Sequence, residues 1–70
     1  MMPLIYAEAG APVIVKRIGG TPEVKKHLED LGFVAGSEVS VINSLGENLI
    51  VKVKESRVAV SDELARKIMV

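Results

Sequence analysis

Apolar and polar residues alternate through the second half of the chain, and this period limits the fold more than any other feature. Leu49, Val51 and Val53 fall on one face of a predicted strand, with Lys52 and Lys54 on the other, as in a strand with one buried face. The segments Val39–Val41 and Val58–Val60 have the same period. Residues 43–48 and Glu55–Ser56 supply turn-forming side chains between them. The pattern predicts three consecutive antiparallel strands.

The first half combines one strand with one helix. Pro12–Ile18 is rich in β-branched residues and predicts a strand, which Gly19–Gly20 ends. Thr21 is then a favourable N-cap, with Pro22 in the first helical position. Gly32 predicts the end of this helix, because glycine adopts the left-handed conformation of a C-terminal cap at little cost. The apolar stripe of the helix consists of Val24, Leu28 and Leu31.

The C-terminal residues complete the predicted order of elements. Ser61–Glu63 would cap a short helical turn that ends at Arg66–Lys67, and Ile68–Val70 would form a last strand. We therefore predict one domain over residues 1–70, mainly β. About five short antiparallel strands curl into a small barrel, with one helix between the first two strands and a helical turn before the last. An open α+β sandwich is the alternative.

Composition excludes several classes of function. Nine basic and nine acidic residues cancel, and the chain has one Tyr, one Phe and no Trp, so neither nucleic-acid binding nor an aromatic groove for proline-rich peptides is expected. The absence of cysteine fits a reducing compartment. No apolar run reaches the roughly 18 residues that would span a bilayer, and the N-terminus lacks a secretion signal. We expect a soluble, cytoplasmic protein without membrane insertion.

Two glycines, Gly32 and Gly36, raise the question of a phosphate-binding loop. Such loops follow a strand and open a helix, so that the helix N-terminus faces the anion. Here the predicted order is reversed, with Gly32 ending a helix and Gly36 preceding a strand. Phosphate binding is therefore not expected, and the glycines are interpreted as a corner.

Several short motifs in this order resemble the ferrous iron transport protein A (FeoA) family. They are Val15–Gly20 (VKRIGG), Leu28–Gly32 (LEDLG), Gly36 before its strand, Leu45–Gly46 in a turn, and Ala59–Val70 (AVSDELARKIMV). The resemblance covers nearly the whole chain and implies an SH3-like small barrel. It also implies a cytoplasmic partner of a membrane ferrous iron transporter that carries a GTPase domain. The same domain type resembles the C-terminal module of iron-dependent repressors, which leaves a metal-responsive regulatory module as the alternative.

Apolar residues near the two predicted corners are the candidates for contact with another protein. A leucine at a hairpin tip is poorly placed for burial, whereas an apolar residue after a helix cap usually packs back on the last turn. Unused parts of the helix stripe would also be available to a partner. An exposed edge strand would further allow weak self-association. The candidate contact residues are Leu28, Leu31, Phe33, Leu45 and Gly46.

A metal site and a catalytic site have less support in the sequence. His27 is the only histidine, and Glu23 and Asp30 lie one helical turn away on either side. Imidazole and carboxylates suit Fe²⁺ or another divalent transition metal, but stable sites have three or four protein ligands. A histidine at the boundary of the apolar stripe is the simpler interpretation. No nucleophile is paired with a base, so we do not expect an enzyme.

Overall fold

Six strands and two short helices make up the computed structural model, which describes residues 1–70. One sheet has four strands in the order β1-β3-β4-β5, and the other pairs β2 with β6. All pairings are antiparallel. This architecture confirms the mainly β prediction. The elements are β1 (Pro12–Ile14), β2 (Arg17–Ile18), α1 (Pro22–Asp30), β3 (Glu38–Leu45), β4 (Asn48–Val53), β5 (Ser56–Ser61), α2 (Asp62–Ala65) and β6 (Ile68–Met69).

The three alternating segments form the antiparallel strands β3, β4 and β5, as predicted. The turn predicted over residues 43–48 is shorter than expected, because β3 continues to Leu45 and only Gly46 and Glu47 lie between the strands. The register shifts between Val41 and Asn43. An extra residue at this irregularity lets the strand continue with its turn-forming side chains exposed.

The single strand predicted over Pro12–Ile18 is divided between the two sheets. The Val15 N–H donates to the Ser37 carbonyl, and the Val15 carbonyl accepts from the Gly36 N–H, which extends the pairing of β1. One residue later, the Lys16 N–H donates to the Met69 carbonyl on β6. The chain therefore passes from one sheet to the other between two neighbouring residues, and this transfer brings the sheets around one core.

The core lies between the sheets and consists of aliphatic residues with one phenylalanine. Its thirteen buried residues are all hydrophobic, and no polar residue is buried. Leu4, in a 3-10 turn over Leu4–Tyr6, is fully buried although the N-terminal segment carried no strand or helix pattern. Reciprocal hydrogen bonds between Met2 and Val70 hold that segment beside β6. The core residues are Leu4, Val15, Leu28, Phe33, Val39, Val41, Leu49, Val51, Val53, Val60, Ala65, Ile68 and Val70.

Both helices begin at the predicted caps. The Thr21 Oγ1 accepts from the Val24 N–H at 3.2 Å, and Pro22 occupies the first turn of α1. The Ser61 Oγ accepts from the Leu64 N–H at 3.2 Å at the start of α2. These bonds satisfy N–H groups that have no partner within the helix, so the helix starts are determined by local sequence.

Candidate partner-binding surface

The end of α1 forms a Schellman cap. The Gly32 N–H donates to the Glu29 carbonyl and the Phe33 N–H to the Leu28 carbonyl, each at 2.9 Å, which is the paired bonding of that motif. Gly32 adopts φ +106°. In this motif the residue after the glycine packs against the residue three before the cap, and Phe33 and Leu28 are accordingly both fully buried.

The corner at the end of α1, from Leu28 to Phe33, is therefore more buried than a contact surface would be. The side chains of Phe33 and Leu28 belong to the core, at 0% exposure each, and offer no area to another protein in this conformation. Leu31 is half-buried and packs against the core. The hydrogen bonds of the cap are the physical reason, because they turn the chain so that the residue after Gly32 points inward.

The tip of the β3–β4 hairpin presents the opposite arrangement. Leu45 is the last residue of β3, directly opposite Asn48, and its side chain is 67% exposed. Gly46 follows with φ +61° and no atom within 4 Å of the position a Cβ would take. A two-residue turn needs such a conformation to match the twist of its strands. Leu45 and Gly46 thus lie together on an exposed projection.

Acidic residues lie beside this tip. The Asp62 N–H donates to the Glu47 carbonyl at 2.9 Å, which fixes the start of α2 against the hairpin. A shallow depression of about 400 Å³ lies there, and Arg66 is the one basic residue in its wall. The depression is lined by Glu47, Asn48, Ser61, Asp62, Glu63 and Arg66. We name Leu45, Gly46, Glu47, Asp62 and Glu63 the tip surface.

The acidic part of the tip surface could not be identified from the sequence. Glu47 and Asp62 are fifteen positions apart, and the pairing of Asn48 with Ser61 brings them together. The two-residue period of the strands was the signal available in the sequence, but it places these acidic residues together only when the register of the strands is known.

At the other end of the sheet, a second depression of about 510 Å³ includes Lys52 and Lys54 in its wall.

The three residues considered for metal binding lie exposed on α1. Glu23, His27 and Asp30 are all solvent-accessible side chains of that helix. The structure contains no group of three or more His, Cys, Asp or Glu side chains placed to hold a metal ion. The helical offsets therefore do not bring these three side chains together as one ligand set.

None of the helices is both long and apolar enough to cross a lipid bilayer. α1, the longer of the two, has nine residues, whereas a spanning helix has about 20.

Comparison with known proteins identifies relatives over almost the whole chain. The family model of the FeoA domain matches residues 2–70. A Methanocaldococcus jannaschii protein with the provisional name Fe(2+) transport protein A is 37% identical over 70 residues, which cover 100% of this chain and 85% of that protein.

Solved structures share the same architecture. An iron uptake regulatory protein (FeoA) matches with a TM-score of 0.89 at 28% identity, over 97% of this chain and 90% of its own. The zinc complex of Stenotrophomonas maltophilia FeoA, described as an SH3 domain protein, matches with a TM-score of 0.84 at 25% identity, over 99% and 88%. These matches confirm the SH3-like barrel. A manganese-dependent transcriptional repressor shares the fold alone, with a TM-score of 0.84 at 19% identity over 94% of this chain and 38% of that one.

Proposed function

The chain belongs to the FeoA domain family, whose members take part in ferrous iron transport, and on that premise we propose that it is a cytoplasmic accessory protein of iron uptake. In this proposal it binds a membrane ferrous iron transporter that carries a GTPase domain and modulates the activity of that domain. The partner follows from the family resemblance. The site that we assign to the contact is the tip surface.

Exposure of Leu45 is the observation on which this assignment rests. Leu45 is 67% exposed beside a two-residue turn, so its apolar side chain adds little to the core and is available to a partner. Interfaces commonly gain most of their affinity from a few apolar or aromatic anchors that enter a pocket of the partner. Gly46 keeps the tip narrow, because it adds no side chain beside the anchor. The tip therefore suits insertion into an apolar pocket.

Charge around the anchor defines the expected rim of that pocket. Glu47, Asp62 and Glu63 line the depression beside the hairpin tip, together with one cation, Arg66. Charged groups at the rim of an interface mainly control association rate and specificity. We expect basic side chains on the transporter around the pocket for Leu45, and an association rate that falls as salt is added.

The test is binding to the purified cytoplasmic GTPase domain of the transporter, measured by calorimetry, together with its rate of GTP hydrolysis. Leu45→Asp should weaken binding at least about tenfold, because it removes an anchor and places a charge in an apolar pocket. The matched control is Ser44→Asp, which adds the same charge one residue away on the opposite face of β3. It should bind as the unaltered protein does.

Two results would contradict the proposal. The first is no binding and no change in GTP hydrolysis at concentrations up to about 1 mM, the weak end of measurable affinities. The second is binding that Leu45→Asp and Ser44→Asp weaken equally, which would assign the contact to another surface.

A metal-responsive regulatory module is the second candidate. It is supported by the zinc complex of the Stenotrophomonas maltophilia protein, while His27 is the only imidazole that this chain could contribute. Anaerobic calorimetry with Fe²⁺ distinguishes it from the first proposal. Micromolar binding that His27→Ala abolishes would favour it, and no heat of binding would exclude direct sensing.

A further inference from the structure

Strand β5 has a free edge. It pairs with β4 on one side and is the last strand of its sheet. Apart from that ladder, no backbone hydrogen bond of the chain involves the segment from Ser56 to Val60. Natural edge strands are commonly protected by proline, a bulge or a covering element. β5 contains no proline, and its pairing with β4 has no register shift.

The register determines which backbone groups of β5 are unpaired. Lys54 and Glu55 form a two-residue turn, so Val53 and Ser56 exchange hydrogen bonds. Hydrogen-bonded positions alternate along an antiparallel pair. Val58 and Val60 therefore bond to β4, whereas the N–H and C=O groups of Arg57 and Ala59 point away from the sheet. Both of these residues are exposed.

Opposite charges lie at the two ends of this edge. At its start, Arg57 lies directly opposite Lys52 on β4, a like-charge pair that is unfavourable within one sheet. At its end, Ser61 leads into Asp62 and Glu63 at the start of α2. Small Ala59 lies midway between the basic end and the acidic end.

We propose that the β5 edge binds the β5 edge of a second copy of this chain in antiparallel orientation. Ala59 of one copy lies opposite Ala59 of the other, and Arg57 lies opposite Ser61 of the second copy, next to its Asp62 and Glu63. The basic end of each edge then meets the acidic end of the other, twice, as two-fold symmetry requires. The two four-stranded sheets become one continuous eight-stranded sheet.

Charge selects this register over the others that satisfy the backbone. Hydrogen-bonded pairs across the new interface must join residues whose N–H and C=O groups point outward, which include Arg57 and Ala59. Pairing Arg57 with Arg57 would add a second like-charge contact beside Lys52. Pairing Arg57 with Ser61 replaces that repulsion with two attractive contacts. The edge is short, so we expect a weak dimer with a dissociation constant in the high micromolar range.

Tip residue Leu45 remains accessible in this dimer. It lies on β3, two strands away from β5, so the second copy does not cover it. The dimer and the proposed transporter contact share Asp62 and Glu63 but not Leu45 or Arg57, so Leu45→Asp tests the transporter contact and Arg57→Glu tests the dimer.

The test is sedimentation velocity from about 10 µM to 1 mM, a range that brackets the affinity of small interfaces, together with amide exchange at both ends of that range. We expect the sedimentation coefficient to increase with concentration. The amides of Arg57 and Ala59, which have no partner within the chain, should become protected only at high concentration. If β5 served only the fold of the monomer, the exchange rates of these amides would not depend on protein concentration.

Two sets of variants test the edge and the register separately. Ala59→Pro removes an outward N–H, which an edge strand tolerates, and should abolish the dimer. Arg57→Glu and Glu63→Lys should each weaken the dimer about tenfold at low salt, and the double variant should recover most of the affinity. Lys25→Glu, an equal charge reversal on the exposed face of α1, is the control and should leave the dimer unchanged.

A monomer at every concentration, with Arg57 and Ala59 amides exchanging freely, would overturn the proposal. So would a dimer that Ala59→Pro leaves intact, since it would form through another surface. If Ala59→Pro prevents folding, the charge-swapped pair decides, and no recovery in the double variant would reject this register.

Discussion

The helix corner and the hairpin tip are built from the same two components and have opposite roles. In each, a glycine with positive φ lies next to a large apolar residue, Gly32 with Phe33 and Gly46 with Leu45. Phe33 is fully buried, whereas Leu45 is 67% exposed. The space around the glycines differs as well. A Cβ on Gly32 would lie 2.7 Å from Val53 Cγ1, and a Cβ on Gly46 would meet nothing within 4 Å.

Backbone geometry explains the difference better than hydrophobicity does. The cap at Gly32 turns the following residue back onto the last helical turn. The two-residue turn at Gly46 continues the pleat of two strands beyond the core, so the residue before the glycine stays exposed. A glycine beside an apolar residue therefore indicates a corner, and the type of corner determines whether the apolar side chain packs or projects.

Phe33→Ala should have the largest effect on stability. Removing a fully buried phenylalanine costs about 3–5 kcal/mol, a large part of the free energy of unfolding of about 5–15 kcal/mol that is typical of native proteins. Urea denaturation followed by circular dichroism measures the loss. Val34→Ala, at the neighbouring 40% exposed position, is the control and should change the free energy of unfolding by less than about 0.5 kcal/mol. Equal effects at both positions would contradict the burial of Phe33.

Gly32→Ala should follow, with a loss of about 2 kcal/mol or more in the free energy of unfolding. It combines an unfavourable backbone conformation with a contact of 2.7 Å to Val53. Gly36→Ala has a similar φ of +92° but open space around its Cβ, so it measures the backbone cost alone. Combining Gly32→Ala with Val53→Ala should show a favourable coupling energy, because the smaller residue removes the clash. Strict additivity would mean that no clash exists.

Gly46→Ala should cost about 1 kcal/mol, the backbone cost of a left-handed conformation without a clash. Thermal denaturation of the Gly46→Ala variant and of the unaltered protein measures this difference in the free energy of unfolding. Gly46→Asn should cost less, because asparagine tolerates this conformation better than alanine. A loss for Gly46→Ala equal to that for Gly32→Ala would remove the distinction between the two corners.

Leu45→Asp should have the smallest effect, within about 0.5 kcal/mol of the unaltered protein, because the side chain is exposed and contributes little to the core. Urea denaturation under the conditions used for Phe33→Ala gives a direct comparison. With the binding loss proposed above, the two corners would then respond in opposite ways, one in stability and the other in binding. A large loss of stability at Leu45 would make any binding result uninterpretable.

Local patterns were sufficient to predict most elements of this protein. Each of these elements depends on interactions within a few residues, so the sequence predicts it directly. They are the caps at Thr21 and Ser61, the helix end at Gly32 and the alternating strand around Leu49–Val53. The family resemblance supplied the SH3-like arrangement of these elements.

Other features depend on contacts between distant segments, and only the tertiary structure decided them. The transfer of the chain between sheets at Val15 and Lys16 requires Ser37 and Met69 as separate partners. Burial of Leu4 requires the C-terminal strand, and the acidic border of Leu45 requires the register of β4 with β5. Sequence determines which face of an element is apolar, since that follows from the period of its backbone. What covers that face, or leaves it exposed, depends on which elements pack together.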